Sequence, residues 1–221
     1  MKLAGTVAGR LRDLIDPELY AEVSGAVVAV EEHDKQGRAI VRFRLPPDAT
    51  NCVQWQFEHH NDNRFRFLLG SAEALSAADG AFSFERAGGG YELHVIELKR
   101  KVTADSWIKA KSQMRWSLIR LLAFAGLLDI PWRRIVCYTG FSSDTLSPKL
   151  SPDVVLNKML LLGGGPTPHE AREVDATVRH QLDWLEATIT VAGLFESPIA
   201  HVKVAIGSDG EAAVDLGLRS D

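Results

Sequence analysis

Cysteine is scarce, with two in 221 residues, Cys52 and Cys137. They lie far apart and neither has a second cysteine at metal-ligating spacing, which points away from a disulfide framework or a cysteine-based zinc site. Both are expected as small buried hydrophobes. No apolar run reaches membrane-spanning length, and the opening "MKLAGTVAGRLRDLID" carries Arg10, Arg12 and Asp13 where a signal peptide needs an apolar core. A cytoplasmic protein without membrane association is therefore expected. Internal repeats and low-complexity tracts are missing, and there is no large excess of cations: the formal net charge is −4. That balance argues against a dedicated nucleic-acid coat or arm.

A composition 46% hydrophobic and 24% charged fits a packed globular protein rather than a disordered or fibrous one. The charge is unevenly distributed. From Leu98 to Arg120 the cations are Lys99, Arg100, Lys101, Lys109, Lys111, Arg115 and Arg120, against Asp105 alone. A strongly basic stretch is set in an otherwise acidic chain.

The periodicities predict an α/β protein of one domain in three segments. Residues 1–70 hold a short amphipathic helix that stops before Pro17, then two hairpins in "GAVVAVEEHDKQGRAIVRFRL" and "CVQWQFEHHNDNRFRFLL". Residues 71–141 carry a strand from about Ala81, a turn at Gly88, Gly89 and Gly90, and the strand "YELHVIELK". A helix from Asp105 to Leu127 and the apolar strand "RRIVCYTGF" follow. Residues 142–221 read as a short helix over 153–162, a helix from about Pro168 to Ala192 and a final hairpin, "AHVKVAIGSDGEAAVDLGL".

Within "HVIELKRK", Glu97 and Lys99 interrupt an apolar strand. Side chains alternate along a strand, so this pair shares one face while Ile96 and Leu98 share the other. The apolar face is expected against a helix layer, with the charged face open to a cleft. A carboxylate that holds a hard cation and an ammonium beside it suit metal-assisted phosphodiester hydrolysis, provided a second carboxylate is near. Asp79 is the candidate, because folding back from the glycine turn brings it close to Glu97 and Lys99.

The order of Asp79, a hairpin, Ile96-Glu97-Leu98-Lys99, a basic helix and another apolar strand resembles the core of the PD-(D/E)xK nuclease superfamily, the restriction-endonuclease-like fold. The resemblance covers roughly residues 71–141. It implies a mixed sheet core flanked by helices, here with extra amino-terminal hairpins and a carboxy-terminal helix plus hairpin. It implies that Asp79 and Glu97 bind magnesium or manganese and that Lys99 assists the attacking water. Gln113 matches the glutamine that several members place on the following helix, and Glu73 or Glu58 are the choices for an early glutamate. The sequence departs from the pattern at Ala78, where a proline often precedes the aspartate, and in the paired hairpins upstream.

The implied function is a metal-dependent nuclease, with nucleic acid, DNA foremost, held along Lys101, Lys109, Lys111 and Arg115. Defence, repair and mobile-element biology are all open to it. The alternatives are a catalytically inactive nuclease-like subunit, a protein-interaction module built on the hairpins of residues 25–69, or an edge strand whose Glu97 and Lys99 form a solvated pair. A homodimer or protein partner is compatible with each. "EHHNDN" reads as a polar hairpin tip, since adjacent histidines on a strand point to opposite faces. The two triple-glycine stretches lack the Lys-Ser/Thr of a phosphate loop, and "TGFSSD" lacks a nucleophile elbow.

Overall fold

The computed structural model describes residues 6–34, 37–56, 76–147, 183–186, 188–189 and 198–217. Thr6 caps helix α1 (Val7–Leu14) by accepting from the Gly9 amide at 3.1 Å, and the helix ends at Ile15, before Pro17 as expected. Strands β1 (Tyr20–Glu22), β2 (Val27–Asp34), β3 (Gly37–Arg44) and β4 (Thr50–Trp55) follow. Then come β5 (Gly80–Glu85), β6 (Tyr91–Val102), helix α2 (Ala104–Leu128) and β7 (Trp132–Asp144). Strands β8 (Thr188–Ile189), β9 (Ile199–Ala205) and β10 (Glu211–Asp215) are the last described strands, and one 3-10 turn, Pro17–Leu19, links α1 to β1.

The architecture is mixed α/β. A seven-stranded sheet runs β1-β4-β5-β6-β7-β9-β8, and a second sheet runs β10-β3-β2. The β5–β6 hairpin is antiparallel, with Gly80 opposite Ile96. Its turn uses Gly89 and Gly90 at positive φ, 81° and 83°, where a side chain would be strained. After β6 the chain crosses over through α2 and returns as β7 parallel to β6, Glu97 lying beside Thr139. Helix α2 starts with a reciprocal cap in which Thr103 accepts from the Ser106 amide and Ser106 accepts from the Thr103 amide.

Each face of the large sheet buries a separate apolar layer. Leu93, Val95 and Cys137 pack against Trp107, Met114, Leu118 and Leu121 of α2. On the other face Phe82, Phe84, Ile96, Leu98 and Tyr138 pack against Val28, Val30, Val41 and Phe43 of the small sheet. Both cysteines are buried, as expected. Burial of Glu92 and His94 within the small-sheet layer is tolerated because they are linked: His94 contacts the Tyr138 hydroxyl at 2.9 Å and stacks on Phe82.

Three expectations are corrected. The Ile96 and Leu98 face meets the small sheet, not the helix layer, and it is the Glu97 and Lys99 face that lies toward α2. The three-stranded sheet supplies an apolar surface that the helix would otherwise have to provide. The last two strands do not pair as a hairpin: β9 is enclosed between β7 and β8, so β10 crosses to the free edge of β3 and runs parallel to it. The helix expected from about Pro168 does not continue to Ala192, since Thr188–Ile189 is a strand paired with β9. Val174, Val178, the helix over 153–162, the tip "EHHNDN", the strand expected over 65–69, and Glu58 and Glu73 lie outside the described residues. No described helix is long and apolar enough to cross a membrane.

Candidate active site

Asp79 and Glu97 meet where β5 begins and β6 nears its end. Asp79 precedes Gly80, and its Oδ2 accepts from the Leu98 amide at 2.5 Å, fixing the carboxylate on the β6 backbone. Glu97 is fully buried, and its Oε1 is in direct contact with the Lys99 ammonium. Lys99 also donates to Gln113 Oε1 at 3.2 Å, while Gln113 Nε2 donates to the Ala77 carbonyl at 2.9 Å. One turn further along α2, the Ser117 hydroxyl accepts from the Ala78 amide at 2.9 Å. The helix therefore grips both residues before Asp79 with two side chains four positions apart.

The sequence pattern thus brings together Asp79, Glu97, Lys99 and Gln113. Glu97 lies on a central strand and has no exposure, which removes the reading of a solvated edge-strand pair. Burial and the nearby Asp79 carboxylate push the Glu97 carboxyl well above the usual range, opposed by Lys99. Among the described residues its Oε2 is buried without a hydrogen-bond partner. An orphaned carboxylate oxygen beside a second carboxylate is a hard-donor arrangement of the type that hard cations bind.

The residues fit magnesium or manganese on that ground. Among the described residues no group of three His, Cys, Asp or Glu side chains converges as a complete ligand set. Magnesium commonly needs only one or two carboxylates, keeping waters and substrate phosphates for the remaining positions.

Two contributors escaped the sequence reading. Ser117 was one more polar residue on an amphipathic helix. Glu32 extends the inward face of β2 beyond Val28 and Val30, and its charge acts on Glu97. The approach of β2 to β5 depends on Gly80: a Cβ there would fall 2.6 Å and 2.8 Å from the Val30 methyl carbons, so only glycine lets the two strands lie so near. Gly80 was the available signal, within the "DG" pair that marks the strand start.

The expected nucleic-acid contacts diverge. Lys101 and Lys109 are exposed. Lys111 pairs with Asp183 and lies over the Trp107 ring at 5.3 Å, and Arg115 lies over Trp116 at 5.8 Å. Arg100 points away from Lys99, toward the small sheet, as strand alternation requires. Beyond Thr139, next to Glu97, His201 accepts or donates to the Thr139 hydroxyl at 3.0 Å, and burial lowers its pKa to about 4.

No family model, curated protein or solved structure matches this chain.

Proposed function

We propose that the protein is a metal-dependent nuclease of the PD-(D/E)xK kind, with a restriction-endonuclease-like core, that hydrolyses phosphodiester bonds in nucleic acid. The observation that carries the reading is the buried Glu97 carboxylate, with one orphaned oxygen, set beside Asp79 and against Lys99. Asp79 and Glu97 would hold magnesium or manganese. The bound ion would supply Lewis-acid polarisation of a phosphoryl oxygen and a more acidic water.

The chain's own groups do the positioning. Lys99 presents an ammonium held between Glu97 and Gln113, where it orients a water and offsets negative charge developing on the phosphate. Gln113 fixes Lys99 with its oxygen and the approach to Asp79 with its nitrogen, so lysine and aspartate are set by one side chain. Glu97 ionises with difficulty when no cation is present, so metal binding releases a proton and strengthens as pH rises. The exposed Lys101 and Lys109 are available to phosphates beside the site and Arg115 contributes charge from its place over Trp116, whereas the charge of Lys111 is taken up by Asp183.

The test is cleavage of plasmid DNA, single-stranded DNA and RNA by the whole chain with magnesium, with manganese and with chelator. Cutting that needs the metal supports the proposal and identifies the substrate. A folded protein that cuts none of them with either metal refutes it.

A further inference from the structure

Between helix α1 and the large sheet lies a pocket of about 220 Å3. Its apolar walls come from Val7, Ala8 and Leu11 of α1, Val53 and Trp55 of β4, and Leu128 at the end of α2. We propose that this pocket binds a small uncharged ring compound, of one or two fused rings, that carries a hydrogen-bond acceptor for the Ser83 hydroxyl. The proposal stands apart from the nuclease reading. Ser83 and Tyr91 line the pocket toward the turn of the β5–β6 hairpin, whereas the carboxylate pair lies at the hairpin's open end.

The backbone is shaped around this space. From Thr50, opposite Glu85, to Val53, opposite Ser83, β4 takes three steps where β5 takes two, so one extra residue bulges from the pairing at the pocket wall. Asn51, in that bulge, has a φ of 47°, the left-handed region that asparagine tolerates better than most side chains. Its amide donates to Glu85 Oε2 at 2.7 Å, and the same oxygen accepts from the Tyr91 hydroxyl at 3.3 Å. The aromatic walls are locked as well. Trp55 stacks on Phe124 at 5.6 Å and 8°, and Tyr91 meets Trp132 edge-on at 6.4 Å. Close-packed proteins keep few internal spaces larger than a water molecule, and these walls are held so that they do not collapse into this one. The pocket is preformed.

The lining decides the chemistry of the occupant. Arg12 and Glu22, at the exposed rim, are its two charged residues, and they pair with each other at 3.0 Å. An ionic ligand would have to break that pair, and a neutral one would not. The Tyr91 proton is committed to Glu85. Ser83 differs: it is 2% exposed, its oxygen accepts from Trp55 Nε1 at 3.2 Å, and no described group accepts its own proton. A buried hydroxyl proton lining a pocket is matched by an acceptor on the occupant. Size sets the remaining limit. An apolar cavity of about 150 Å3 already takes up benzene, so 220 Å3 suits one or two rings.

The experiment is a titration of the whole nitrogen-15-labelled chain with two uncharged bicyclic probes, read on the Trp55 indole N–H resonance. Quinoline carries a ring nitrogen that accepts a hydrogen bond, and indole carries one that only donates. Quinoline is expected to shift the Trp55 signal saturably and to bind more tightly than indole by about two- to tenfold, the effect of one hydrogen bond. Ser83→Ala should bring quinoline down to the level of indole. Ala8→Leu, which enlarges a half-buried helix position facing the pocket, should abolish the saturable shift for both probes while the rest of the spectrum stays that of a folded protein. A Trp55 signal that quinoline does not move would mean that the recess holds solvent only, and the proposal falls. It falls equally if quinoline still saturates the signal in Ala8→Leu, because the probe then sits elsewhere. Indole binding as tightly as quinoline would overturn the assigned ligand chemistry. None of these outcomes bears on cleavage, so the nuclease reading is tested separately.

Discussion

Replacing Glu97 by glutamine keeps the shape of the side chain and removes its charge from a fully buried position. In the metal-free protein, Glu97 carries an unpartnered oxygen and faces Asp79. Burial and the Asp79 charge both disfavour the Glu97 carboxylate, and a neutral amide escapes that penalty and can donate toward Asp79, so Glu97→Gln is expected to stabilise the apo protein by about 1–3 kcal/mol, less whatever Lys99 loses. For a chain of this size each kcal/mol moves the melting temperature about 2–4 °C, giving a rise of roughly 2–12 °C at pH 7.5. The sign of the pH dependence is fixed by the raised carboxyl. Between the ordinary glutamate value of 4.5 and the higher folded value, the folded state keeps a proton that the unfolded state has released, so wild-type stability falls as pH rises through that window. The gap between variant and wild type should therefore be widest above the folded pKa and close toward pH 4.5. Metal should reverse the order, since at a hundred times its dissociation constant a ligand adds about 2.7 kcal/mol to wild type alone. Differential scanning fluorimetry over a pH series, with and without magnesium, reads all of this. A variant less stable than wild type at every pH, or a gap that does not change with pH, would refute the reasoning.

Other perturbations follow from the same geometry. Gly80→Ala drives a Cβ into the Val30 methyls and should cost about 1–3 kcal/mol by overpacking, with Val30→Ala restoring part of it; an unchanged denaturant midpoint would count against the close approach of β2 and β5. Ser117→Ala strips the buried Ala78 amide of its acceptor and should cost about 1–3 kcal/mol while lowering metal affinity in calorimetric titration, because Asp79 loses its anchor. His201 has its pKa depressed from 6.5 to about 4, so the unfolded state takes up the proton first as pH falls and stability on the order of 3 kcal/mol is lost over that range. His201→Gln should flatten that part of the acid unfolding curve, and an unaltered curve would contradict it.

Much of the centre of the fold was legible because its signals are local. Glycines at the turn set the β5–β6 register, which carries Asp79 to Leu98, and the apolar face of α2 marked the helix that follows β6; that β7 then lies parallel to β6 is a finding of the structure. Alternation likewise separated Lys99 from Arg100. The inverted environment of β6 was not legible, because the sheet covering Ile96 and Leu98 is assembled from β2, β3 and β10, and the last of these joins from more than 160 residues away in sequence. Period-two alternation tells which residues share a face, not what covers it. Glu32 was hidden for a related reason: its charge acts on Glu97 from a strand brought near by the packing of β2 on β5, which depends on one missing Cβ at Gly80. Gln113 was singled out only through the resemblance, and Ser117 not at all, because Ser117 sits among apolar neighbours on α2 and only the position of Ala78 gives it its role.

The most direct test of the central claim is to count bound manganese by electron paramagnetic resonance in wild type, Asp79→Asn, Glu97→Gln and Lys99→Ala, alongside cleavage of the same nucleic acid. The account predicts that both carboxylate variants lose the ion and the cutting together, while Lys99→Ala keeps the ion and loses the cutting. Carboxylate variants that bind manganese as wild type does, or a Lys99→Ala protein that still cuts at the wild-type rate, would contradict the assignment of metal to Asp79 and Glu97 and of the water to Lys99.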